Sequence, residues 1–296
     1  MKNSNHVKCS PPCWSVIEIL VGVLMSQKSS PATRHYDANY GNFQAELYAE
    51  IRREAFGEDI GQSSWLTAEE QDRFLPQLKL SAGKLLLDIA CGSGGPALRI
   101  AAKTGCSLVG IDVHGDAIST AKVLACDRGL ADRVSFQVAN AADRLPFPDA
   151  HFDAITCVDA INHLPHRPRI FSDWERLLKR GGHLLFTDPI TVTGPLTGEE
   201  IAVRSSIGFF SFVPVDYDRR LLGESGLDLI TCEDATQNMA DLAARRGAAR
   251  ASRSALLRNI EGEETYQRQQ DFFEVAARVA RERRLSRFLY IALKPR

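Results

Sequence analysis

The sequence predicts an α/β protein on a doubly wound, largely parallel sheet of seven strands, and three observations carry that reading. Five short β-rich apolar runs alternate with helical stretches between residues 84 and 188, the pattern of a parallel sheet covered on both faces. The first run ends in a glycine-rich turn, "DIACGSGGP" (88–96), which opens directly into a helix. The chain closes on "RFLYIALK" (287–294), a β-run with no helix after it, which can enter such a sheet antiparallel at its edge.

Two helices precede the sheet. "YGNFQAELYAEIRREAFG" (40–57) places apolar residues at helical spacing, and "TAEEQDRFLPQL" (67–78) opens with a threonine cap and acids in its first turn. The strands follow at 84–90, 107–113, 134–139, 152–159 and 182–188. The intervening helices are "PALRIAAKT" (96–104), "GDAISTAKVLACDRG" (115–129) and "PRIFSDWERLLKRGG" (168–182), the last expected to end in its Lys-Arg-Gly-Gly. A helix at 216–225 leads to a sixth strand, "GLDLITCED" (226–234), and residues 287–294 supply the seventh. Two stretches are too long for simple connections: 191–214, with Phe209, Phe210 and Phe212, and 235–285, with two arginine-rich helical stretches. Both are expected to build a helical lid. The arginines suit either a solvated face balanced by neighbouring glutamates or recognition of an acidic acceptor.

A net charge of -1 over 296 residues gives no electrostatic reason to expect nucleic acid or an anionic membrane as partner. Five of the seven cysteines (91, 106, 126, 157 and 232) fall singly among apolar neighbours, as reduced thiols of a cytoplasmic protein do, and no metal site is expected. Cys9 and Cys13 form a C-x-x-x-C pair in the N-terminal tail without a second pair nearby. "WSVIEILVGVLM" (14–25) resembles a short leader core, but Glu18 interrupts it and a dozen residues cannot span a bilayer. Residues 1–35 are therefore read as a flexible extension.

The glycine turn points to a nucleoside. Strand one ends at Asp88; Gly92, Gly94 and Gly95 let backbone approach a ligand, and the new helix offers free N–H groups and the positive end of its dipole. Asp112 closes strand two, where an acid accepts hydrogen bonds from ribose hydroxyls. Gly92-x-Gly94-x-x-Ala97 also satisfies a dinucleotide fingerprint. Asp88 argues against that ligand, because an acid there would face pyrophosphate, whereas it suits a cation.

The segments "LLLDIACGSGGPALRIA", "GIDV", "LPFPDAHFDAITCVDAINHL" and "LLKRGGHLLFTDP" resemble the class I S-adenosylmethionine-dependent methyltransferases. The likeness is closest to the small-molecule branch that includes sarcosine/dimethylglycine and phosphoethanolamine N-methyltransferases. It covers residues 36–296, strongest over 84–190, and implies a Rossmann-like sheet with its last strand antiparallel. By that resemblance, Asp88, Ala90, Gly92, Ser93 and Gly94 match the loop around the methionine part of S-adenosylmethionine. Asp112 matches the ribose acid, with Val113 beside the adenine. Ala141 stands where many relatives carry an aspartate for the adenine amino group, leaving Asn140 or Asp143 for that task, with Ala142 contributing backbone. Asp159 and His163, in "VDAINHLPH" (158–166), lie where relatives place the sulfonium and acceptor; for His163 a capping or packing role remains open, and His166 is expected to be exposed.

Tyr36 and Tyr40 lie in a segment that folds over the cofactor in relatives, and Trp65 in a loop near its methionine part. The expected activity is methyl transfer to a small-molecule acceptor, an amine nitrogen first, by in-line displacement, with a homodimer left open. A nicotinamide-dependent oxidoreductase and a non-catalytic cofactor-binding module remain the alternatives.

Overall fold

The computed structural model describes residues 45–296. Tyr36, Tyr40 and the tail cysteines lie outside the described residues. The strands are β1 (Leu85–Ile89), β2 (Ser107–Asp112), β3 (Val134–Val138), β4 (Phe152–Cys157), β5 (Leu178–Val192), β6 (Val213–Pro214), β7 (Asp228–Asp234) and β8 (Leu285–Leu293). They form one sheet in the order β3-β2-β1-β4-β5-β8-β7, with the two-residue β6 pairing beside the end of β5. β1 to β5 are mutually parallel, and β8 runs antiparallel to both β5 and β7.

α1 (Glu46–Phe56) and α2 (Ala68–Phe74) precede the sheet, and α3 (Gly95–Thr104), α4 (Gly115–Asp127), α5 (Arg167–Leu177), α6 (Gly198–Arg204) and α7 (Tyr217–Glu224) connect strands, whereas β3 passes to β4 through residues 139–151 without a helix. The period-2 alternation of strands divides the core. Leu86 packs with Leu98, Ile100 and Ile118 on one face, and Leu87 with Phe171, Trp174 and Leu221 on the other. Thr67 caps α2 as its sequence requires, its hydroxyl accepting from the Glu70 amide at 3.1 Å.

Four expectations are corrected. The helix read over 168–182 ends at Leu177, and Lys179-Arg180-Gly181-Gly182 belongs to the start of β5. Leu178 pairs with Phe152, and a register shift there accommodates Gly181 at φ +77°. The last strand is antiparallel but lies between β5 and β7, so β7 forms the edge. Its residues are nearly all buried, which suits an interior position better than a border. The helical stretch read over 238–260 is two helices, α8 (Thr236–Ala251) and α9 (Ser254–Glu261), because Arg253 turns back to the Ala249 carbonyl at 3.1 Å and to Glu54 at 2.6 Å. The second stretch is α10 (Glu263–Arg281). Finally, the 191–214 connection adds β6 to the sheet as well as forming α6, whose N-terminus carries a reciprocal Thr197–Glu200 capping box.

α1, α8 and α10 pack as a separate helical cap over the carboxyl ends of the strands. Its core joins Phe56, Trp65, Ile207, Met239, Phe272 and Phe273, with alanines where α8 and α10 meet. Between cap and sheet, the Gly61 segment presses onto the start of α3. A Cβ on Gly95 would stand 2.0 Å from the Ile60 carbonyl oxygen, a backbone atom that cannot yield cheaply. Gly95→Ala is therefore expected to cost about 1–3 kcal/mol of stability, read as a lower urea midpoint at unchanged slope.

Candidate active site

Two cavities meet where β1, β2 and β4 end, the position at which open α/β sheets bind ligands. The larger, of about 770 Å³, is walled by Asp88, Ala90, Gly92, Ser93, Asp112, Val113, Asn140, Ala141, Ala142, Asp159 and His163, with Gly61–Ser64 across its mouth. The smaller, of about 130 Å³, lies under the cap and shares Gln62, Ser63, Ser64, Asp159 and His163 with the larger. Eleven of the residues singled out in the sequence thus converge on one cavity.

The turn after β1 alternates left-handed residues: Ala90 at φ +56°, Gly92 at +54° and Gly94 at +78°. Ala90 bears a side chain in that region, a cost that surrounding bonds must hold in place. The Cys91 amide donates to the Ile111 carbonyl at 2.9 Å and the Gly92 amide to Asp112 Oδ2 at 2.9 Å. Asp112 also accepts from the His114 amide on Oδ1 at 2.9 Å, so the carboxylate is oriented on both sides and retains lone pairs for hydroxyl donors. Gly94 is not part of the wall. A Cβ there would meet Ala121 at 2.8 Å and Phe136 at 2.9 Å, so its glycine serves helix packing rather than close approach to a ligand.

Asp88 is buried, and Thr156 donates to its Oδ1 at 2.6 Å. Desolvation, opposed by the Thr156 bond and reinforced by the nearby Asp112, pushes its carboxyl up to about 7. Burial raises Asp112 as well. Ser93 is 2% exposed, and its Oγ has no hydrogen-bond partner among the described residues. Two buried carboxyl acceptors and an orphan hydroxyl fit an amino acid with a cationic amine and a ribose, whose N–H and O–H groups donate. Val113, Ala141 and Ala142 offer an apolar slot for a base. Asn140 is already engaged, its Oδ1 accepting from Ala142 and its Nδ2 donating to Asp143, each at 3.0 Å.

Asp159 sits at φ +52° with every carboxylate oxygen occupied. Thr187 donates to Oδ1 at 2.7 Å and Arg287 Nε to the same oxygen at 2.7 Å, while the Trp65 amide donates to Oδ2 at 2.8 Å. Asp159 therefore joins cap to sheet. Asp188, read as a strand-end acid, lies within β5 and is fully buried on Arg167 at 2.6 Å, which also binds Asp218. His163 stands on the wall common to both cavities, its Nδ1 2.8 Å from the Phe209 carbonyl. Burial pulls its imidazole down to about 4. Bonding to a carbonyl places the proton on Nδ1 and leaves the lone pair on Nε2. Trp65 walls the smaller cavity, not the larger as its loop suggested, and His166 is exposed as expected.

Residues 87–186 match a family model described as a methyltransferase domain. The chain is 32% identical over 204 residues to the 27-O-demethylrifamycin SV methyltransferase of Amycolatopsis mediterranei, covering 65% of this chain and 75% of that protein. The chain belongs to the S-adenosylmethionine-dependent methyltransferases. Other relatives are spanned over 26–60% of their length. Among solved structures, Haemonchus contortus phosphoethanolamine N-methyltransferase 2, in complex with phosphomonomethylethanolamine and S-adenosylhomocysteine, superposes with a TM-score of 0.73 at 18% identity, over 88% of this chain and 61% of that one. The [4+2]-cyclase SpnF superposes at 0.72 and 22% identity over 90% and 97%. At these identities the likeness is one of fold.

The methyltransferase uses S-adenosylmethionine, and burial of Asp88 and Asp112 costs the fold stability. Asp88 keeps its proton in the folded protein up to about pH 7, whereas the unfolded chain releases it near pH 4. Stability therefore falls between those two values as pH rises and stays low above them. Asp88→Asn is expected to raise the melting temperature of the cofactor-free methyltransferase at pH 8 and to weaken S-adenosylhomocysteine binding at least tenfold, measured by thermal denaturation and calorimetry.

Proposed function

We propose that the enzyme transfers a methyl group to an amine nitrogen of a small molecule held at the junction of the two cavities. The observation that carries this reading is His163, a neutral imidazole placed where both cavities meet. When bound, S-adenosylmethionine supplies an electrophilic methyl on a sulfonium whose thioether leaves uncharged. Asp88 and Ser93 then receive its methionine end, and Asp112 its ribose. The Gly61–Ser64 segment and Phe209 cover the mouth and keep water from the reacting atoms.

An imidazole drawn down to about 4 is a poor base for an alcohol, whose proton must leave as the bond forms. It is well suited to accept an N–H on Nε2 and so aim the nitrogen lone pair. Asp159, fully engaged by Arg287, Thr187 and Trp65, is a positioning residue rather than a base. In-line alignment of donor and acceptor then supplies most of the acceleration; well-oriented pairs reach effective molarities on the order of 10⁵–10⁸ M. An oxygen acceptor is the second reading, favoured by the name of the Amycolatopsis relative. The five described cysteines carry free thiols, which supports a reducing, cytoplasmic setting.

Incubation of the enzyme with methyl-labelled S-adenosylmethionine and fractionated metabolite extract should yield a product whose label, by NMR, sits on nitrogen. Label on oxygen or carbon would refute the amine reading. kcat/KM should rise with pH along the acceptor's own ammonium titration, with no inflection near 6.5 from His163. His163→Ala should lower kcat by about tenfold at unchanged cofactor affinity; a loss in the 10²–10⁴ range typical of a proton-transfer group would favour the oxygen reading.

A further inference from the structure

We propose that the smaller cavity selects a neutral, ring-sized acceptor group through Asn162 and Gln269; the proposal rests on the amine reading and names the class of amine. Three independent features of that cavity converge.

The first is size. At about 130 Å³ the cavity is slightly smaller than an engineered apolar cavity of about 150 Å³ that takes up benzene. It therefore admits one six-membered ring or a branched group of equal bulk, with the rest of a larger acceptor left in the wider cavity or outside.

The second is polarity. Asn162 is 1% exposed on the turn beside His163, and its Oδ1 has no hydrogen-bond partner among the described residues. Its backbone carbonyl accepts from the Ser211 amide at 2.9 Å, which fixes the residue between the post-β4 turn and the lid. Buried amide oxygens are almost always bonded, so this one calls for a donor that the described residues do not provide. Gln269, 7% exposed on α10, brings a second amide to the same cavity from the cap. Asn162 reaches the cavity wall from the turn after β4 and Gln269 from α10, so amide-bearing residues line it from both sheet and cap.

The third is charge. A cage of aromatic rings ordinarily favours a quaternary ammonium. Here the rings already carry the protein's own cations: the Arg204 guanidinium lies 4.4 Å from the Phe272 ring centre, and that of Arg246 lies 4.8 Å from Phe273 and 5.5 Å from Trp65. With those ring faces occupied, an ammonium guest gains little from them. A neutral amine, its N–H directed to an amide oxygen, is the form that the walls accept.

The test uses the enzyme saturated with S-adenosylhomocysteine and two probes of similar bulk, aniline and tetramethylammonium, followed by ligand-observed NMR at pH 8. Aniline should bind saturably in the millimolar range and tetramethylammonium should neither bind nor displace it. Ile207→Phe, which fills the cavity from its rim, should abolish aniline binding while S-adenosylhomocysteine affinity is retained. Gln269→Leu, close in bulk but without the amide, should weaken aniline at least fivefold. Equal aniline binding in wild type and Ile207→Phe, an unaltered Kd in Gln269→Leu, or displacement by tetramethylammonium would overturn the proposal. The amine reading fails separately: label carried to oxygen or carbon, with aniline binding still lost in Ile207→Phe, removes nitrogen as the acceptor and leaves the subsite standing. N-methylation at unchanged KM in Ile207→Phe does the reverse.

Discussion

A single fully buried guanidinium holds the cap onto the sheet. Arg287, near the start of β8, donates Nε to Asp159 at 2.7 Å and Nη1 to Glu70 at 2.6 Å. It thereby ties the central antiparallel strand to the turn after β4 and to α2. The same network reaches further, because Asp159 holds the Trp65 amide and Asn238 of α8 holds the Trp65 carbonyl at 3.0 Å. Removing one member of such a set leaves an uncompensated charge in the interior, typically a loss of about 3–5 kcal/mol. A second buried arginine, Arg167, does the equivalent work at the end of β5, joining Asp188 to Asp218 and holding the Ser211 carbonyl of the lid at 3.0 Å. Arg287 thus anchors the cap, and Arg167 the lid segment, at the carboxyl edge.

That anchoring decides what the site can do chemically. The acids nearest the shared wall are spent on structure, and the histidine there is held neutral, so no strong base stands on that wall. Charge is concentrated instead on the cofactor side, where Asp88 and Asp112 lie in one cavity with only neutral donors bonded to them. Burial raises both, which means that the empty fold carries an electrostatic penalty. A cation entering beside Asp88 relieves it. The site therefore binds best what the fold tolerates least in its absence, and catalysis is left to alignment.

Local chemistry was legible in the sequence, and long-range partnership was not. The β1 turn, the acid closing β2 and the alternation of strands and helices are short-range patterns, and the structure assembles them as read. Where two local signals competed, sequence could not arbitrate: Lys-Arg-Gly-Gly after α5 carries helix-ending chemistry, yet pairing of Leu178 with Phe152 draws it into β5. The glycines illustrate a different limit. Gly94 and Gly95 fit a ligand-approach motif, but their bareness accommodates Phe136 and the Ile60 carbonyl, contacts invisible without the fold. Arg287 and its partners are 128 and 217 residues apart. A charge inside the apolar run "LSRFLYIAL" was the one available hint that a buried ion pair awaited it.

The two cavities also differ in where their residues come from. Most residues of the larger cavity come from the turns after β1 to β4, within the matched span of 87–186, with Gly61–Ser64 and Phe209 added from outside it. Of the smaller cavity's walls, Asn162, His163 and Asp159 come from that span, whereas Trp65, Arg204, Arg246, Gln269, Phe272 and Phe273 belong to segments before or after it. Similarity over the shared sheet consequently reports on the methyl donor and is nearly silent on the acceptor. A sequence relative named for rifamycin methylation, and solved structures of a phosphoethanolamine methyltransferase and a cyclase, all match this chain. An acceptor can be exchanged by altering the cap while the strand ends remain, provided that Arg287 and Arg167 still have carboxylates to hold; the specificity of the enzyme is free to vary only within the space that these two buried charges leave open.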